Sequence, residues 1–324
     1  MEQIFITDVS PRDGLQNQAV QVSTVAKVHL IRLLFQAGVA SVEATSFVSP
    51  KAVPQMADAT ELLRQLNIAF PTLRRSVLVP NLKGLERAYN AGAKEIAVVL
   101  AATQTMNQKN INMSLDAAVN ASEETLRAAR EQGMRTRAYI AVAFDCPFEG
   151  VPPLNRILTL ARKMFDAGAN EIVIADTIGA ASPADVKERL TALANVIPLT
   201  QLAAHFHDTR GMAVANAWAA LEVGVRRFDA SAGGIGGCPF APGAAGNLAT
   251  EDLVLMAERS GFATGINLER LLDAVDFAEI ELKRPLGGRS STWLRRQREK
   301  KIASVSGANV LSSSPAYVDS QPNR

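Results

Sequence analysis

The chain has 324 residues, 34 basic against 32 acidic side chains, a formal charge of +2, and a composition that is 48% hydrophobic and 20% charged. That balance excludes disorder throughout, which goes with low apolar content and high net charge, and no stretch reaches the ~18 consecutive apolar residues of a membrane-spanning helix. Two cysteines, Cys146 and Cys238, cannot build a disulfide framework, and two of the three histidines, His205 and His207, stand one residue apart.

The N-terminus enters a strand-like run at residues 4–8, without a basic segment leading into an apolar one. No targeting segment is therefore expected, and a cytoplasmic location is. Thr24–Gln36 reads as an amphipathic helix with Val25, Val28, Leu33 and Phe35 as its apolar positions. Four segments then share one rhythm, a helix end, a glycine and a short apolar strand, at Gly38, Gly92, Gly168 and Gly224. Each glycine is expected to stop its helix at positive φ. Leu154–Asp166 forms a further helix on Leu154, Ile157, Leu160 and Met164, and strand-like runs at 75–79, 137–143 and 202–206 fill the gaps. Eight apolar runs alternating with helical patterns over about 280 residues predict an α/β fold, a (β/α)₈ TIM barrel spanning residues 1–282. An open doubly wound sheet is the alternative. It would carry Gly-x-Gly-x-x-Gly after the first strand, whereas the glycine cluster here, Gly233 to Gly237, follows the last. From Lys283 to Lys301 there are eight basic residues and one acid, Glu299, and residues 304–324 are rich in Ser, Asn and Pro. Residues 283–324 are thus expected to form a basic helix at 291–301, anchored by Trp293, and a disordered tail. The net charge is −5 through Leu282 and +7 beyond it.

In such a barrel, chemistry gathers at the C-terminal ends of the strands, and the unusual polar residues fall there. Arg12 and Asp13 follow the first strand and Glu43 lies in the second. Asp145 and Cys146 end the fifth, Asp176 the sixth, His205 and His207 the seventh, and Cys238 and Asn247 follow the eighth. Residues i and i+2 of a strand share a face, so the His-x-His pair suits a divalent metal. Asp13 and Asn247 supply oxygen donors, and a set of two nitrogens and two oxygens admits Mg²⁺, Mn²⁺ or Zn²⁺. Cys238, between Gly237 and Pro239, sits on a tight loop that brings a thiol over the mouth as proton donor or nucleophile. Cys146 reads as structural. Arg12 can stabilise an enolate oxygen or grip a carboxylate, and Glu43, costly to bury unpaired, would orient Arg12 or a ligand.

Taken together, Pro11 to Asn17, Thr45 to Lys51, Val53 to Met56, Pro80 to Gly84, Cys146 to Gly150, Asp176 to Gly179, His205 to Thr209, Gly236 to Ala241 and Gly246 to Leu253 resemble the 3-hydroxy-3-methylglutaryl-CoA lyase family of metal-dependent (β/α)₈ barrels, over residues 4 to about 282. The resemblance implies that Asp13, His205, His207 and Asn247 bind a divalent metal, Mg²⁺ or Mn²⁺. It implies catalytic roles for Cys238, Arg12, Asp13, His205 and Glu43, with Cys238 as the acid/base thiol and Asp13 or His205 as base. Arg12, Gln16, Asp176, Thr177 and Thr209 would contact an acyl-CoA substrate. The implied reaction is retro-Claisen cleavage of hydroxymethylglutaryl-CoA to acetyl-CoA and acetoacetate, in leucine degradation and ketone-body formation, by a homodimer with neither membrane nor nucleic-acid partner. Condensing enzymes for 2-oxo acids and acetyl-CoA share the barrel and the His-x-His but lack the Gly-Gly-Cys-Pro loop and carry a further C-terminal domain; such a synthase is one alternative. Phe206 and Arg210 depart from the family pattern and are expected to line or abut the mouth, which makes a lyase of a longer 3-hydroxyacyl-CoA the other. The basic C-terminus is expected to face neighbouring subunits or the CoA phosphates.

Overall fold

The glycines read as helix stops all take positive φ, from 84° at Gly92 to 106° at Gly224. In each case the next residue donates its N–H to the carbonyl five positions back, as Val39 does to Leu34 at 3.1 Å and Ala169 to Met164 at 3.0 Å. This closes the helix and turns the chain directly into a strand. A fifth copy of the device, Met134 to Ala129 at 3.0 Å past Gly133, escaped the sequence reading. A computed structural model describes residues 1–237 and 246–311.

Eight parallel strands form a closed barrel: β1 (Phe5–Asp8), β2 (Ser41–Ser46), β3 (Arg74–Leu78), β4 (Glu95–Ala101), β5 (Arg135–Ala141), β6 (Glu171–Asp176), β7 (Leu202–Phe206) and β8 (Arg227–Ala230). Closure is made by β8 pairing with β1, Phe5 opposite Arg227 through Asp8 opposite Ala230. Around it lie α1 (Thr24–Gln36), α2 (Ala59–Ala69), α3 (Leu82–Asn90), α4 (Gln104–Ile111), α5 (Leu115–Glu131), α6 (Leu154–Asp166), α7 (Pro183–Ala194), α8 (Ala213–Val223), α9 (Thr250–Arg259), α10 (Leu268–Leu282) and α11 (Ser291–Leu311). The expected (β/α)₈ barrel is the observed fold. No helix among the described residues is long and apolar enough to cross a membrane.

Helix α1 has the expected bounds, and Val28 and Leu33 pack against the core as expected, but the fully buried stripe is another one. Ala26, Lys27, Leu30, Ile31 and Leu34 are buried, while Val25 and Phe35 are exposed. Positions 26, 30 and 34 lie four apart on one stripe, which 25, 28, 33 and 35 do not. Buried Lys27 is neutralised by Asp58 at 2.7 Å.

Alternation along the strands separates two interiors. Ala138 and Ile140 of β5 join the large core between sheet and helices. Tyr139 joins Leu78, Ala97, Val173 and Ala203 in a small cluster inside the barrel. Below this cluster, at the strands' N-terminal ends, is a charge lattice. Arg137 bonds Glu171 at 2.6 Å and Asp229 at 2.7 Å, and Arg74 bonds Glu95 at 2.6 Å.

The basic C-terminal segment is mostly engaged within the chain. Arg295 pairs with Asp276 at 2.8 Å and Glu279 at 3.0 Å, Arg298 with Asp273 at 3.0 Å, and Lys301 with Glu269 at 2.7 Å. Three of the five cations of α11 thus lie along the acidic face of α10. Glu251 and Asp252 hold the approach to α11, accepting from the N–H of Gly288 and Arg289, each at 2.7 Å. Helix α11 runs to Leu311, ten residues past the expected end at Lys301; residues 312–324 lie outside the described part.

Candidate active site

Buried Asp8 at the end of β1 accepts from Ser10 N–H at 2.9 Å, Ala232 N–H at 3.0 Å and the Thr250 hydroxyl at 2.7 Å. It thereby ties the loop after β1 to the loop after β8. Residues 10–14 then make one wide π-type turn, with Gly14 N–H reaching Val9 carbonyl at 3.1 Å. The turn brings Arg12 against Glu43, Nε to Oε2 at 2.7 Å, and against Asp13, Nη1 to Oδ1 at 2.8 Å. The other Asp13 oxygen accepts Asn247 Nδ2 at 2.9 Å. Asn247 is placed by a backbone bridge to His207 and by its own bond to the Ile235 carbonyl at 3.0 Å. A Cβ on Gly236 would stand 2.5 Å from Asn247 Nδ2, so the first glycine of the Gly-Gly-Cys-Pro run makes room for this side chain. His205 Nδ1 lies 3.2 Å from Asp229 Oδ2, and the two imidazole rings are 5.2 Å apart.

Charge is tightly controlled here. Burial works against the Arg12 cation, but Glu43 and Asp13 outweigh it and hold the group protonated. Burial favours a neutral Asp13, yet Arg12, His205 and His207 prevail and keep it ionised. Burial pushes Glu43 up despite Arg12. His207 is driven down to about 4 by burial and by its neighbour His205. For His205 burial is outweighed by Asp229, which raises it.

Ligand atoms of Asp13, His205 and His207 all lie within 4.8 Å of one another. The Oδ1 atom of Asn247 and Nδ1 of His207 are buried without a hydrogen-bond partner, although buried polar atoms are nearly always paired. A carboxylate, two imidazoles and a free amide oxygen are a donor set suited to a divalent cation, so the residues present fit the expected metal.

The remaining sequence-derived positions distribute unevenly. Gln16 Oε1 reaches Arg12 at 3.5 Å and joins the cluster. Asp176 is buried at the end of β6, accepts from Ala180 and Ala181 N–H at 2.8 and 3.0 Å, and is raised to about 6 by burial; its carboxylate thus organises its own loop. Thr177 accepts from Val142 N–H at 2.8 Å, and the Thr209 hydroxyl is buried without a partner. Cys238 lies outside the described residues. The Cys146 thiol is buried against the Thr103 hydroxyl at 3.1 Å, which fits a structural role. Phe206 does not line the mouth: it follows His205 on β7, so it faces the helices, 6.3 Å from Phe144 in the outer core. Arg210 is exposed and caps the Ile178 and Gly179 carbonyls at 3.2 and 3.0 Å. Sequence reasoning missed Asp8, Arg137, Tyr139 and Asp229. Period-two alternation could have found the last three, since positions 137, 139, 205 and 229 all face the barrel interior.

A closed parallel barrel that gathers ionised, imidazole and amide side chains at its C-terminal mouth is the architecture of a barrel enzyme, and comparison with known proteins gives its class as a carbon–carbon lyase. The family described as HMGL-like matches residues 3–278. The mitochondrial hydroxymethylglutaryl-CoA lyase of Bos taurus is 46% identical over 276 residues, covering 85% of each chain. The solved HMG-CoA lyase of Bacillus subtilis superposes with a TM-score of 0.88 at 40% identity, covering 91% of this chain and 99% of that one. An HMG-CoA lyase from Acinetobacter baumannii, solved with coenzyme A and 3-methylmalate, gives a TM-score of 0.85 at 38% identity, covering 90% and 94%. The chain belongs to the HMGL-like family, among its hydroxymethylglutaryl-CoA lyases.

Proposed function

We propose that the chain cleaves 3-hydroxy-3-methylglutaryl-CoA to acetyl-CoA and acetoacetate with a divalent metal, Mg²⁺ or Mn²⁺, held by Asp13, His205, His207 and Asn247. The observation that carries this reading is the pair of unpartnered buried atoms, Asn247 Oδ1 and His207 Nδ1, beside an ionised Asp13 and a paired Arg12. When bound, the metal would polarise the substrate's tertiary hydroxyl and a neighbouring oxygen. Asp13, kept ionised by Arg12, or His205 would accept the hydroxyl proton. As the C2–C3 bond breaks, negative charge moves to the thioester oxygen. Glu43 and Asp13 take three of the five Arg12 N–H groups and Gln16 faces a fourth at 3.5 Å, so the Nη2 edge would be left to stabilise that enolate. Cys238 would then protonate the enolate carbon. Gln16, Thr177, Thr209 and Asp176 stand as substrate contacts in this reading, with Thr209 offering a free hydroxyl.

The coenzyme A complex of the Acinetobacter relative supports an acyl-CoA substrate. A homodimer, a cytoplasmic location and a place in leucine degradation and ketone-body formation accompany the same reading. The outward turn of Phe206 removes one reason to invoke a longer acyl chain.

The test is a panel of hydroxyacyl-CoA thioesters with Mg²⁺, using Cys238→Ser as control. Acetoacetate should appear from hydroxymethylglutaryl-CoA, and the variant should keep its metal while losing at least ~10²-fold in turnover. Release from another thioester instead would reassign the substrate. Condensation of acetyl-CoA with 2-oxo acids, undiminished in Cys238→Ser, would make the protein a synthase.

A further inference from the structure

His205 and Asp229 are register partners on β7 and β8, and both are buried. Asp229 is held by two donors from β5. Its Oδ1 accepts Arg137 Nη2 at 2.7 Å, and its Oδ2 accepts the Tyr139 hydroxyl at 2.6 Å. That hydroxyl in turn accepts Arg137 Nη1 at 2.9 Å, so its own proton is directed at Asp229. Arg137 has no acceptor atom and is anchored from the other side by Glu171 at 2.6 Å. The circuit is closed, and one further atom faces it: His205 Nδ1, at 3.2 Å from Asp229 Oδ2. His207 has no such partner, since its Nδ1 is buried and unbonded.

We propose that Asp229, fixed by Arg137 and Tyr139, is a positioning residue that selects the Nδ1–H tautomer of His205 and so presents Nε2 as the metal-binding nitrogen before any metal arrives. The physical reason is that a carboxylate only accepts, and its neighbour must therefore donate. The remaining lone pair of the neutral ring then belongs to Nε2. A carboxylate behind a metal-bound imidazole fixes both the tautomer and the ring orientation. This inference rests on the metal reading of the site, and its test separates the two.

The experiment is ¹⁵N NMR of the full chain labelled at its three histidines, metal-free and at alkaline pH where imidazole is neutral, with each signal assigned by single His→Gln exchanges. His205 should carry its proton on Nδ1. In Asp229→Asn, Arg137 can face only the amide oxygen, so the amide N–H group turns toward His205 and should invert its tautomer, the effect expected of an amide behind a histidine. Mn²⁺ affinity, read from the EPR signal of the free ion, should fall ~10–100-fold. Tyr139→Phe leaves the acceptor in place and should keep the tautomer, with less than a ~10-fold change in affinity. A wild-type His205 protonated on Nε2 overturns the proposal, whether or not any variant folds. So does a folded Asp229→Asn that binds Mn²⁺ as tightly as wild type. An Nδ1-protonated His205 in a wild-type chain that binds no Mn²⁺ refutes the metal reading, and with it the purpose assigned to Asp229.

Discussion

The two ends of the barrel interior bury charge in opposite ways. At the base, the buried charged atoms of Arg74, Glu95, Arg137, Glu171 and Asp229 are all partnered among the described residues, with the Ser76 hydroxyl on β3 as the exception beside them. At the mouth, Asn247 Oδ1, His207 Nδ1, Thr209 Oγ1 and Glu43 Oε1 all are. A satisfied buried network holds a structure together, whereas unsatisfied atoms are tolerated where something else is meant to bind. The base therefore reads as scaffold and the mouth as site, joined by Asp229, which belongs to both.

That contrast can be broken by substitutions at each end. The largest effect is expected from His207→Leu, which should lower turnover by at least ~10³-fold through loss of several kcal/mol of metal-derived stabilisation. Its urea-unfolding midpoint in EDTA should be unchanged or raised, because an unpartnered buried nitrogen is replaced by an apolar group. Glu171→Ala at the base should do the reverse. It leaves Arg137 and its neighbours Arg74 and Arg227 short of a counter-charge, so stability should fall by roughly 3–5 kcal/mol, while the protein that remains folded should lose less than ~10-fold in kcat, because Arg137 and Tyr139 still bond Asp229. If both variants lost activity and stability in the same proportion, scaffold and site would not be separable.

A smaller and more discriminating effect is expected from pH in metal-free protein. His207 titrates at about 4 when folded and near ~6.5 when unfolded. Between those values the unfolded chain binds the extra proton, so this group's contribution makes stability fall as pH drops through that window. Asp176 titrates at about 6 when folded and near ~3.9 when unfolded. Here the native state binds the extra proton, so its contribution makes stability rise as pH drops from 6 toward 4. Urea midpoints between pH 4 and 7 should show a flatter acid limb in His207→Leu and a steeper one in Asp176→Asn. The smallest effect is expected on the outer surface. Arg298→Ala removes two partly exposed ion pairs with Asp273 and Asp276 and should cost less than ~1 kcal/mol, a difference that high salt removes.

Much of this was legible from linear patterns. The glycine stops at Gly38, Gly92, Gly168 and Gly224 announce four of the helix-to-strand turns because positive φ and the closing hydrogen bonds are local events, whereas the fifth, at Gly133, came only from the structure. The Arg-Asp pair, the His-x-His and the Asn past the last strand announce the mouth because barrel topology carries strand ends to one rim. Residue-level facing was harder. On α1, apolar identity at Val25 and Phe35 suggested burial where geometry exposes them. On β7, proximity to the histidines suggested that Phe206 belongs to the site, although alternation turns it outward. The basic stretch after Leu282 suggested a last helix, and only the tertiary structure shows that three of its cations, Arg295, Arg298 and Lys301, meet acids of α10.

The order of elements, the closed barrel and the composition of the rim follow from short-range features: period, punctuation and the spacing of scarce residue types. The charge lattice and the Asp229 circuit do not. Arg137 and Asp229 are 92 residues apart and Tyr139 and Asp229 are 90 apart; alternation can tell which face of its strand each occupies, but nothing local tells which of them meet. Their meeting depends on strand register and on closure of the sheet, which alone set which side chains share the interior and which atoms are left there without a partner.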